Sequence, residues 1–145
     1  MEDILNKFKY PESLITENNY WYILLRPDQA TFCSMVLISK DAKNYSFSNL
    51  NINEQEKMFA SLKSIEKVCY EKLKCEKINF LAYMMVDPIV HFHIFPRYKD
   101  LRVFKNINYC DPGFPGVVDL NHINLIDQKH YQLLVVYLRG LFNEE

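Results

Sequence analysis

The sequence predicts an α+β domain on an antiparallel sheet of about five strands, with one long helix and a C-terminal helix. Three observations predict it: two pairs of apolar runs joined by short turns, a long helical stripe between the pairs, and a second stripe near the end of the chain. At 145 residues the chain fits one domain over 1–145. Its 49% hydrophobic and 14% aromatic content is enough to close a core and sets disorder aside.

The elements follow in order. Tyr20 to Leu25 is rich in aromatic and branched residues and stops at Arg26-Pro27-Asp28, so it reads as a strand ended by a turn. A second apolar run, Phe32 to Ile38, follows closely, and the two are expected to pair as a hairpin. Between Leu50 and Glu76, Met58, Phe59, Leu62, Ile65, Cys69 and Leu73 recur at helical spacing, with Lys and Glu on the other faces. Asn53, ahead of Glu54-Gln55-Glu56, reads as the helix start, because a capping side chain and early carboxylates satisfy exposed N–H groups. Ile78 to Val86 is nearly unbroken in its apolarity, as expected of a central strand covered on both faces. Asp87-Pro88 turns the chain, Val90 to Phe95 resumes as a strand, and Pro96 is expected to end its regular pairing. After Tyr98 the chain reads as an irregular loop at about 99–121, carrying DPGFPG at Asp111 to Gly116. A C-terminal helix at about 124–142 carries Leu133, Leu134, Tyr137, Leu138 and Leu141 on one stripe, with Asp127 as a cap.

Composition excludes several classes. Seventeen Lys and Arg against eighteen Asp and Glu give a formal charge of -1, so no bulk field recruits nucleic acid or anionic membrane. Any anionic ligand must be held locally. No apolar run approaches the ~20 residues that cross a bilayer. Cys33, Cys69, Cys75 and Cys110 form no CxxC pair, and MEDILNKFKY lacks the apolar stretch of a signal peptide, so reduced thiols in the cytoplasm are expected. Cys33, Cys69 and Cys75 sit in apolar patterns as core thiols.

Chemistry concentrates in Asp87-Pro88-Ile89-Val90-His91-Phe92-His93-Ile94-Phe95-Pro96-Arg97-Tyr98. Period-two alternation puts Ile89, His91 and His93 on one face and Val90, Phe92 and Ile94 on the core face. The histidines should therefore look into a polar cleft suited to an anion. Three readings stand: partnered structural histidines, two ligands of a metal site lacking an evident third, and nucleophilic catalysis. In the last, a neutral imidazole attacks phosphorus while its other nitrogen donates to a carbonyl. The second imidazole then stabilises phosphoryl charge or passes a proton.

The run Val90-His91-Phe92-His93-Ile94-Phe95-Pro96-Arg97 resembles the histidine-triad superfamily of nucleotide hydrolases and transferases. Its signature is His-φ-His-φ-His-φ-φ, with φ apolar, and Ile89 stands where the first histidine belongs. The resemblance implies that His91 is the nucleophile forming a nucleotidyl-histidine intermediate at the α-phosphorus, that His93 contacts phosphate, and that Asn79 lies near the phosphates. It aligns Arg26 with a ribose-binding position, or Asp28 after a short slip. It further implies dinucleoside polyphosphates or nucleoside phosphoramidates as substrates and a homodimer. No resident metal or cofactor is required, although a divalent cation can accompany a polyphosphate. The alternative is a nucleotide-binding protein of this type with little or no turnover, because the triad is incomplete.

Other groups carry less. Arg97, Lys99, Arg102 and Lys105 form a basic cluster that either steers phosphates or is a solvated loop face. His122 and His130 receive no role. Tyr109 and Phe114 could stack on a base or staple their own loop, and Leu24 and Val36 are candidates for a base pocket.

Overall fold

The computed structural model describes residues 1–144. Its elements are α1 (Glu2–Lys7), β1 (Leu14–Glu17), β2 (Trp21–Leu25), β3 (Met35–Ser39), α2 (Ile52–Lys67), β4 (Lys77–Leu81), β5 (His91–Arg97), β6 (Arg102–Phe104), β7 (Ile107–Tyr109) and α3 (Gln128–Asn143). The five-stranded sheet runs in the order β1-β2-β3-β5-β4, with every neighbouring pair antiparallel. It is the predicted α+β architecture.

Alternation along the strands makes two different faces. Trp21, Ile23 and Leu25 of β2, Met35 and Leu37 of β3, and Val90 and Ile94 enter one core with Ile65 from α2, with Val68 and Cys69 from the π-helical stretch Val68–Lys72 that continues it, and with Leu134, Val135 and Leu138 from α3. Trp21 is fully buried, and its indole N–H donates to the Glu54 carbonyl at 2.8 Å. The opposite face carries Leu24, Val36, Ile38 and Ile89, covered by Ile4 and Phe8 from the N-terminal segment.

Several expectations are corrected. The run Ile78 to Val86 is not a central strand: β4 ends at Leu81, lies at the sheet edge, and leaves Lys77 and Phe80 exposed with only Ile78 buried. Met84 then adopts φ 50°, a left-handed conformation that no strand accommodates, and Tyr83, Met85 and Val86 project outward. The long helix is capped by Asn51 and not Asn53. Asn51 accepts from the Glu54 N–H at 2.9 Å while the Glu54 carboxylate accepts from the Asn51 N–H at 2.9 Å, a reciprocal capping box. Pro96 ends pairing on the β3 side only, since β4 pairs with β5 through Pro96 and Arg97. The segment after Tyr98 contains the hairpin β6–β7, and α1 and β1 add two elements that periodicity did not reveal. Asp127 caps α3 as expected, accepting from the His130 N–H at 2.8 Å.

Within the basic cluster Lys99 and Lys105 are exposed, as a solvated loop face requires, but Arg97 fits neither reading. Its side chain is buried, pairs bidentately with Asp111 at 2.7 and 3.0 Å, and donates to Asn79 Oδ1 and the Gly116 carbonyl, each at 2.8 Å. Such a fork can hold three acceptors at once, and here it pins the DPGFPG loop to the end of β5. Within that loop a Cβ on Gly113 would lie 2.3 Å from the Val117 carbonyl oxygen, so only glycine permits this approach. Tyr109 is buried against Phe32, with ring centroids 4.8 Å apart, which is the staple reading.

Candidate active site

His91 opens β5 opposite Ile38, and His93 follows opposite Val36 on one side and Leu81 on the other. Period two therefore places both rings on the face that α1 only partly covers, as predicted. The ring of His91 is only 3% exposed as a residue, yet it is not sealed. Its Nδ1 lies 2.6 Å from the Ile89 carbonyl oxygen. A carbonyl only accepts, so Nδ1 carries the proton, and in the neutral ring the lone pair is on Nε2. Nε2 has no partner among the described residues and meets a cleft of about 330 Å³ lined by Lys7, Tyr83, Met84, Met85, Val86, Asp87, His91 and His93.

His93 sits in a ring of aromatics. Its centroid is 5.1 Å from that of His91, 5.9 Å from Phe8, 6.4 Å from Phe95 and 6.5 Å from Tyr83. Its Nδ1 is buried without a partner. Burial, and then the charge of Arg26, the neighbouring His91 ring and the charge of Lys7, push its pKa down to about 4, with Asp87 opposing weakly. At neutral pH this imidazole is uncharged. It can donate or accept a hydrogen bond, but it supplies no positive charge.

Arg26 leaves β2 on the same face and lays its guanidinium over Phe95, with Cζ 4.9 Å from the ring centroid. Nε and Nη1 are buried and unpaired, and no described carboxylate forms an ion pair with it. Burial lowers its pKa, offset in part by Asp28. Of the two residues considered for that position, Arg26 is the one on the sheet face, whereas Asp28 is exposed in the turn.

Asn79 is placed differently from expectation. It stands opposite Phe95, two residues out of register with His93, and its side-chain oxygen is taken by Arg97. It lines a separate groove with Ile78, Phe80, Leu81, Val117 and Val118, so it is absent from the histidine cleft. Leu24 and Val36 share the histidine face but are fully buried under α1. The apolar wall of the cleft comes instead from Tyr83 to Val86. Ile89 is 5% exposed and packs with Ile4, Phe8, Leu24, Val36 and Ile38, so its side chain brings no polar group to the cleft.

Lys7 and Asp87 were missed by sequence reasoning. Lys7 Nζ and Asp87 Oδ2 are 2.7 Å apart, bridging α1 and the β4–β5 connection at the cleft. Asp87 announced itself only as part of a turn, and Lys7 carried no sequence signal at all. Among the described residues no group of three or more His, Cys, Asp or Glu is arranged around a metal position, and no helix is long and apolar enough to cross a membrane.

Known structures share this architecture. A histidine-triad protein from Marinobacter aquaeolei superposes with a TM-score of 0.72 at 18% identity, covering 90% of this chain and 88% of its own. One from Bradyrhizobium japonicum gives 0.70 at 18% identity, with 89% of each chain covered. The fold is the histidine-triad fold. A hypothetical histidine-triad nucleotide-binding protein from Sulfolobus tokodaii gives 0.67 at 13% identity, covering 91% of this chain and 84% of its own. No protein-family model and no curated protein sequence matches the chain. At these identities the histidine-triad likeness is one of fold.

Proposed function

We propose that the chain is a nucleotide hydrolase or nucleotidyl transferase acting at the α-phosphorus of a bound nucleotide. The observation that carries this reading is the His91 Nδ1 to Ile89 carbonyl contact, which leaves Nε2 unprotonated at the cleft. Nε2 attacks phosphorus, the N–P bond forms as the P–O bond to the leaving phosphate breaks, and the imidazolium is held by the Ile89 carbonyl. Water or a second acceptor then breaks the N–P bond and releases the nucleoside monophosphate or its derivative. A phosphate leaving group departs as an anion and needs no proton. An amine leaving group needs one, and neutral His93 has none to spare. Dinucleoside polyphosphates therefore suit this site better than nucleoside phosphoramidates, and a divalent cation can travel with them as part of the substrate.

His93 contacts the phosphate oxygens by hydrogen bonding. Asn79 acts one step removed, by holding Arg97. The reading includes a homodimer, supported by the open outer edge of β4, and a cytoplasmic setting in which the thiols remain reduced.

The test is intact-mass spectrometry at neutral pH after mixing purified protein with diadenosine polyphosphate. The expected result is a nucleotidyl adduct that disappears in His91→Asn, together with release of AMP. A second reading, nucleotide binding with little turnover, is favoured by the apolar packing of Ile89 and the uncharged state of His93. Binding of AMP with neither adduct nor release would select it.

A further inference from the structure

Among the described residues, the guanidinium of Arg26 is the least explained charge, with no ion-pair or hydrogen-bond partner. Taking a cation out of water costs several kcal/mol unless a counter-charge or hydrogen bonds compensate. Among the described residues Arg26 has no ion-pair partner and only a partial offset from Asp28: Nε and Nη1 are buried without acceptors, and stacking on Phe95 satisfies no N–H. Only Nη2 reaches the surface without a partner. One row along the same face, His93 Nδ1 is a second buried nitrogen without a partner. Phe95 links the two, stacked at 14° to His93 and covered by Arg26.

Position decides what such a group can bind. The reacting phosphate must lie at His91 Nε2. From His91 the face steps to His93 at 5.1 Å and from His93 to Phe95 at 6.4 Å, with Arg26 over Phe95, so Arg26 stands beyond the reacting centre and does not replace Ile89. An arginine has only donors, so it cannot accept a hydrogen bond from a sugar hydroxyl as a carboxylate does. It matches an oxyanion.

We infer that Arg26 is a specificity-determining residue that selects substrates carrying a second phosphate beyond the one attacked by His91. This deepens the nucleotide reading and rests on it for the identity of the ligand. The second phosphate can belong to a polyphosphate chain or to a phosphorylated sugar, and both present the same oxyanion to the guanidinium.

Calorimetric titration of the whole protein with adenosine, AMP, ADP, adenosine 3′,5′-bisphosphate and pyrophosphate separates these cases. The expected result is at least tenfold tighter binding of ADP or the bisphosphate than of AMP, with the preference lost in Arg26→Gln and partly kept in Arg26→Lys. Which of the two binds tighter assigns the second phosphate to chain or sugar. Thermal melting checks the variant: Arg26→Gln should melt at or above the parent temperature, because it removes a largely buried charge that Asp28 offsets only in part. Equal affinity for AMP and both doubly phosphorylated ligands, or a preference that survives Arg26→Gln, overturns the inference and leaves the nucleotide reading intact. Pyrophosphate binding that needs Arg26, with no nucleotide bound, keeps the anion site and overturns the nucleotide reading. If no ligand binds, both fall.

Discussion

The Ile89 carbonyl belongs to the backbone, so any residue at position 89 can orient His91, while the isoleucine side chain serves a different end by packing under α1. The two roles separate by mutation. Ile89→Ala keeps the carbonyl and should leave adduct formation at His91 within a few-fold of the parent, while urea unfolding shows a loss of ~2–4 kcal/mol. Ile89→His should also destabilise, by ~1–3 kcal/mol, because it buries an imidazole among the apolar side chains of Ile4, Phe8 and Leu24. A rise in turnover from that variant would contradict this packing. His93 makes a prediction of opposite character. Its pKa in the folded chain, about 4, lies below the ordinary 6.5, so between those values the unfolded chain takes up a proton that the native chain refuses. Stability is full above about 6.5, falls as the pH drops through that window, and levels off below about 4, for a total of ~2–3 kcal/mol. Urea midpoints at pH 7.5 and 4.5 should differ markedly in the parent and much less in His93→Gln.

At the scale of elements, the Arg97–Asp111 pair joins the end of β5 to the loop that follows β7. Asp111→Ala leaves a buried guanidinium with half its acceptors gone and should cost ~3–5 kcal/mol. Hydrogen exchange should show the 111–118 loop losing protection before the sheet does. This clamp also marks what could be read from sequence. The period-two run from Val90 to Phe95 and the stripe of α2 were legible, because one covered face imposes a repeat on the side chains. The pair His91 and His93 was legible for the same reason. The burial of Arg97 was not, since its partner lies 14 residues away in a loop without period. Nor were α1 and β1, six and four residues long and too short to show a repeat. The Ile78 to Val86 run misled because apolar residues usually mean a covered strand, yet here Met85 and Val86 are more than 80% exposed. The site divided along the same line: strand alternation placed the histidines, whereas the reach of Arg26 onto Phe95 depends on which strands are neighbours.

At the scale of the whole molecule, the sheet separates two environments, a closed core under α2 and α3 and an open face that α1 shields in part. The Lys7–Asp87 pair joins α1 to the β4–β5 connection, with Lys7 half exposed. An exposed pair contributes little, so Lys7→Ala should change stability by less than ~1 kcal/mol. It should nevertheless raise the His93 pKa, because Lys7 is one of the charges that depress it. A proton NMR titration of the ring resonances checks the sign. Trp21 lies on the other side of this division. As the sole tryptophan of the chain, enclosed against the first turns of α2, it gives the protein a single optical reporter whose emission follows the undocking of that helix. Ligands entering from the opposite side of the sheet should leave its spectrum unmoved, so fluorescence can follow denaturation in the presence of nucleotide without interference.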